Sequence, residues 1–71
     1  MQKVEIVTEF IRLDSFLKLC GVSSTGGQSK IMIIEGQVNV DGAPCTMRGK
    51  KLYPGAVVGV DGLEFQVAAS P

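Results

Sequence analysis

An α+β domain, two packed helices on a small, mainly antiparallel sheet of four to five short strands, is the fold this sequence predicts. Two Asp-Gly pairs, each preceded by a valine-rich segment, mark hairpins at Asp41-Gly42 and Asp61-Gly62. Leu13, Phe16, Leu17 and Cys20 recur at helical spacing and end at Gly21. Seventy-one residues with 45% apolar and 20% charged side chains suit one folded domain, expected to span 1–71, with a thin core and no large ligand cavity.

The elements follow in order. Lys3 to Thr8 alternate charged and apolar residues until Val7 breaks the pattern, which predicts a short strand with one solvated face. Helix one is expected over about 11–20, with Asp14 either capping it or pairing with Lys18 four residues on. Ser23, Ser24 and Thr25 are N-cap candidates for a second element, and Glu35-Gly36 is its stop. Ile31-Met32-Ile33-Ile34 between them fits either a buried strand or a helix, and periodicity does not decide. The ten-residue span favours a helix buried on most sides. Val38-Asn39-Val40 then alternates into the first Asp-Gly turn, and Ala43 to Met47 is the expected return strand. Pro44 has no amide donor, so that strand should be an edge. Tyr53-Pro54-Gly55 predicts a turn, and residues 56–60 and 63–67 form the second hairpin.

Composition removes several functions. The chain has no His, the commonest catalytic base and metal ligand. Cys20 and Cys45 are too few for a four-ligand zinc site and too far apart for a CxxC redox motif. Two reduced thiols in an intracellular, cytoplasmic protein are expected, with no cofactor. No segment approaches the roughly 20 apolar residues of a membrane span, and the N-terminus lacks a signal-peptide core. Asp14, Glu35 and Asp41 fall on different elements, so no carboxylate pair suggests an enzyme or a small-molecule substrate.

Seven basic residues balance seven acidic ones, yet the charge is segregated. Residues 12–51 hold Arg12, Lys18, Lys30, Arg48, Lys50 and Lys51 against Asp14, Glu35 and Asp41, an excess of three positive charges. The ends hold Lys3 against Glu5, Glu9, Asp61 and Glu64, an excess of three negative ones.

Two stretches in the basic part could carry a binding function. Thr25-Gly26-Gly27-Gln28-Ser29-Lys30 opens helix two with glycines that cost helix stability, and helix N-terminal amides suit phosphate. An ordinary cap on a flexible loop is the competing explanation. Met47-Arg48-Gly49-Lys50-Lys51 is a basic loop, where Arg48 can grip phosphate bidentately and the lysines act as point charges. Arg12 and Lys18 lie off the apolar stripe but about 240° apart, so they do not share one narrow strip. Of Phe10, Phe16, Tyr53 and Phe65, only Tyr53 adjoins the basic loop, so base stacking has little support and shape and phosphate reading fit better.

Ile11 to Leu17, Gly21, Thr25 to Gly36 and Val38 to Gly42 together resemble the alpha-L RNA-binding domain first named for the S-four ribosomal protein, over about 11–60. The Thr-Gly-Gly-x-x-Lys form, followed by Arg-x-Lys-Lys-Leu and Pro-Gly, looks like the small bacterial members built from this domain alone. The resemblance implies a helix over 25–35 and RNA binding through both helices and the following loop. Arg12 matches the opening arginine, Thr25 the residue that begins helix two and Lys30 a basic position within it. Gly26 departs from the arginine many members carry, which either weakens affinity or shifts the load to the glycine amides and to Arg48, Lys50 and Lys51. Asp41 replaces an asparagine and Ala56 an aspartate at turns. The expected function is non-catalytic binding of structured RNA, ribosomal or transfer RNA, by a monomer that can act on a ribosomal particle. The alternative is an adaptor that offers the basic patch or the edge near Pro44 to an acidic protein.

Overall fold

The computed structural model describes residues 1–71. Strand β1 (Gln2–Ile6) is followed by β2 (Ile11–Arg12), helix α1 (Leu13–Leu19) and helix α2 (Gly26–Ile34). Then come β3 (Val38–Val40), β4 (Ala43–Pro44), β5 (Lys51–Leu52), β6 (Val57–Val60) and β7 (Leu63–Ala69). Five strands form a sheet in the order β1-β7-β6-β3-β4, and β2 pairs with β5 in a separate ribbon. Every pairing is antiparallel except β1 with β7. The expected α+β class and mainly antiparallel sheet are present.

Both Asp-Gly pairs are two-residue hairpin turns. Asp41 and Gly42 have φ of 52° and 84°, Asp61 and Gly62 of 55° and 75°. Positive φ at both central positions is the type I′ turn, whose twist matches that of the strands it joins. Both helices end in a Schellman motif. Gly21 N–H donates to Lys18 O and Val22 N–H to Leu17 O, and Gly36 and Gln37 repeat the pattern to Ile33 O and Met32 O.

One core unites the two layers. Leu13, Phe16 and Leu17 of α1 and Ile33 of α2 pack with Val38, Val40, Leu52, Val58, Val60, Phe65, Val67 and Ile6. The stripe that defined helix one thus buries its first three members completely, and Cys20 stays half-buried against the same core.

Four expectations are corrected. The first strand ends at Ile6 and leaves Val7 91% exposed. Helix one starts at Leu13, because Ile11 and Arg12 pair with Leu52 and Lys51 instead. The return strand is only Ala43–Pro44; it forms the sheet edge, and Cys45 N–H adds one more bond to Val38 O. Helix two is not buried on most sides: Ser29 and Ile33 are buried, while Ile31 and Ile34 are 58% and 55% exposed. Four consecutive helical residues spread over about 300° of the helix, so a helix packed on one flank cannot bury them all.

Candidate functional site

The basic loop forms the N-terminal cap of α1. A helix begins with four amides that have no intrahelical partner. Here Leu13 N–H donates to Lys50 O at 2.9 Å and Asp14 N–H to Arg48 O at 3.1 Å. Ser15 N–H donates to Asp14 Oδ1 at 2.8 Å. Carbonyls of the loop thus replace a capping side chain, which fixes the loop against the helix.

Asp14 organises the charges around this junction. Its Oδ2 accepts from Arg12 Nη2 at 3.1 Å and from Arg48 Nε at 3.4 Å. The carboxylate is 10% exposed, whereas the Arg12 and Arg48 side chains are 51% and 46% exposed. One buried anion therefore holds two cations whose outer surfaces face water. Asp14 does not pair with Lys18: its carboxylate turns toward the arginines, and Arg12 occupies the N-cap position.

The same residue links α2. Ser29 Oγ donates to Asp14 O at 3.2 Å, and the Ser29 and Ser23 hydroxyls are hydrogen-bonded in the interior. Thr25 caps α2, its Oγ1 accepting from Gln28 N–H at 3.1 Å. Gln28 Oε1 accepts in return from Ser24 N–H and Oγ. The side chains of Thr25 and Gln28 are thereby committed to shaping the helix start. A Cβ at Gly26 would meet no atom within 4 Å, and one at Gly27 only Thr25 Oγ1 at 3.9 Å. Neither crowding nor backbone angle within the domain requires these two glycines.

The β2–β5 ribbon presents the remaining basic groups. Arg12 stands directly opposite Lys51. Like charges in that position destabilise a strand pair. Arg12 relieves the repulsion through Asp14, while Lys51 Nζ lies 4.8 Å from the centre of the Phe10 ring. Lys50 is exposed beside them.

The structure thus gathers Arg12, Arg48, Lys50 and Lys51 at one junction and ties the start of α2 to it through Ser29. Lys18 and Lys30 are exposed on their helices, and neither forms an ion pair. Sequence reasoning missed Phe10, whose ring lies 5.9 Å from that of Tyr53 at 47°. Phe10 precedes a two-residue strand whose partner is some forty positions away, so no local pattern exposed it.

No group of three or more His, Cys, Asp or Glu residues is placed to hold a metal. Both cysteines are free and half-buried, and burial raises the Cys20 thiol from 9.0 to about 11. No helix is long and apolar enough to cross a membrane.

Comparison with known proteins agrees with this architecture. A relative from Bacillus subtilis (strain 168), "Probable ribosome maturation protein RlbA", is 45% identical over 65 residues, 90% of this chain and 92% of its own. YbcJ of Escherichia coli (strain K12) is 46% identical over 59 residues, 83% of this chain and 84% of its own. The solution structure of YbcJ, described as revealing an alpha-L motif involved in RNA-binding, superimposes with a TM-score of 0.73 at 40% identity. That match covers 97% of this chain and 89% of YbcJ. The S4 domain family model matches residues 4–68, and with relatives this similar the chain belongs to the S4 domain family, as an alpha-L fold.

Proposed function

We propose that this domain binds structured RNA, of the ribosomal or transfer class, without catalysing a reaction. The observation that carries the reading is the junction of Arg12, Arg48, Lys50 and Lys51, where one buried carboxylate serves two arginines. Two half-exposed guanidiniums held from behind are rigid phosphate ligands. A cross-strand pair of like charges, kept at a cost to the fold, makes sense where an anion completes the site. The start of α2 supplies the second part: Gly26 and Gly27 leave their amides open to close approach, and Lys30 adds charge a turn on. Thr25 and Gln28 set that turn, and Lys18 extends the positive surface along α1. RlbA is named for ribosome maturation and the alpha-L motif of YbcJ is described as involved in RNA-binding. By that analogy the partner is a ribosomal particle or its RNA, met in the cytoplasm by a monomer.

The adaptor reading has weaker support. Its proposed docking edge, β4, offers only Ala43 and Pro44 for strand addition, and proline lacks the donor.

The test is fluorescence anisotropy with a structured ribosomal RNA fragment at two salt concentrations, with duplex DNA of equal length as competitor. Four or five phosphate contacts give a log–log salt slope of roughly −3 to −4.5. Poor competition by the DNA is expected as well. A flat salt response, or DNA competing as well as RNA, overturns the reading. Purification with a stoichiometric protein partner and no nucleic acid would favour the adaptor instead.

A further inference from the structure

The outer face of the β2–β5 ribbon holds more than phosphate binding requires. Ile11 pairs with Leu52 and Arg12 with Lys51, so Phe10 and Tyr53 meet one step back along the same ladder. Strand alternation sends Ile11 and Leu52 to the core. It leaves Phe10, Arg12, Lys51 and Tyr53 together on the opposite face.

Phe10 is half-buried and Tyr53 is 50% exposed, so one ring braces the other while the second keeps a free surface. The Tyr53 backbone is fixed by the turn that follows, in which Ala56 N–H donates to Tyr53 O at 3.0 Å. An open groove of about 380 Å³ adjoins the ring, bordered by Lys50, Lys51, Pro54 and Asp41. Asp41 Oδ1 accepts from Val57 N–H at 3.0 Å, and the carboxylate forms no ion pair. A carboxylate there repels phosphate but accepts from the N–H groups of a base, so it favours a base edge in the groove and phosphates on the lysine side.

Phosphates alone have no use for a braced aromatic ring. A nucleobase does, because every base has a face that stacks on an aromatic side chain. Bases inside an RNA duplex are already stacked on their neighbours, whereas those in loops and bulges can be splayed onto a protein. We propose that Tyr53, braced by Phe10, is a stacking platform for one unpaired RNA base, with Lys50 and Lys51 holding its flanking phosphates. This rests on the RNA-binding reading and narrows it: the ligand is a duplex interrupted by an unpaired nucleotide.

The test uses two RNA hairpins, one fully paired and one identical except for a single bulged 2-aminopurine nucleotide. Both are titrated with the intact domain and with Tyr53→Phe and Tyr53→Leu. The wild type is expected to prefer the bulged hairpin by about 5- to 150-fold, the range one stacked base supplies. It should also quench 2-aminopurine fluorescence. Tyr53→Phe keeps the preference and the quenching. Tyr53→Leu loses both while it binds the paired hairpin with unchanged affinity and salt slope, which also shows that it is folded. Equal wild-type affinity for the two hairpins, each salt-dependent, overturns the stacking site and leaves RNA binding standing. Retained preference in Tyr53→Leu does the same. Failure of the wild type to bind either hairpin overturns both.

Discussion

Arg48 reaches Asp14 across 34 positions of sequence, its Nε–H donating to Oδ2 at 3.4 Å, the oxygen that Arg12 contacts from the other side at 3.1 Å. The backbone carbonyls of the loop that carries Arg48 also accept from the first amides of α1. Helix cap and cation clamp are therefore one structure. A change that loosens the loop also disturbs the helix start, and the reverse holds.

Replacing Asp14 by Asn separates charge from position. The variant keeps an acceptor for Ser15 N–H but loses the anion between the arginines. A stability loss of about 1–2 kcal/mol is expected, since both arginines are half-exposed and stay solvated when released. The shift in urea midpoint measures it. Asp14→Asn also adds one net positive charge, which by itself favours RNA. Weaker RNA binding despite that charge is the expected result; stronger binding would show that the clamp does not position the arginines.

Reversing Lys50 and Lys51 to Glu should weaken RNA binding by more than tenfold and reduce the magnitude of the salt slope by about 2. Reversing Glu5 and Glu64 to Lys is the control, because those residues lie on β1, the sheet edge opposite β4, and on its neighbour β7. Equal effects from the two pairs, read by anisotropy at several salt concentrations, would mean that net charge rather than this junction governs binding.

What was legible in the sequence was local. Type I′ turns, Gly21 and Gly36 at helix ends and the Leu13-Phe16-Leu17 stripe each act through neighbours a few residues away, so their patterns survive in one dimension. The residue types of the candidate site were legible for the same reason. Its geometry was not. Ile11 with Leu52, Arg48 with Asp14 and Phe10 with Tyr53 each join segments more than thirty positions apart. Local propensity read Ile11 and Arg12 as helix because nothing nearby reveals the strand they pair with. The exposure of Ile31 and Ile34 was hidden likewise, since hydropathy records what a side chain prefers and not how many flanks of its helix are covered.

Cys20 gives a pH test of packing at the end of α1. Burial raises its thiol from 9.0 to about 11, so the folded chain holds that proton where the unfolded chain has released it. The stabilisation is fully present below pH 9 and is lost as pH rises through about 9 to 11. The quantity to measure is the difference between wild type and Cys20→Ser, which isolates the contribution of this thiol. The wild type should lose stability more steeply above pH 9, by an amount that solvent at this half-buried site moderates. Near pH 8 its thiolate fraction is about 100-fold below that of a thiol at 9.0, so iodoacetamide should modify it correspondingly slowly. Rapid alkylation of Cys20 in the folded protein would contradict the burial.

Gly26 and Gly27 provide the sharpest separation of fold from function. Neither has a positive φ, and neither would bring a Cβ closer than 3.9 Å to its surroundings. Alanine at either position should therefore stabilise the domain, by up to about 1 kcal/mol each, through helix propensity and a less flexible unfolded chain. If an RNA backbone packs against this turn, the same methyl groups stand in its way. Thermal unfolding should rise for Gly26→Ala and Gly27→Ala while RNA affinity falls, with the double variant showing both effects most strongly. Affinity that stays level as stability rises would remove the start of α2 from the binding surface and leave the Asp14 junction and the ribbon as its whole extent.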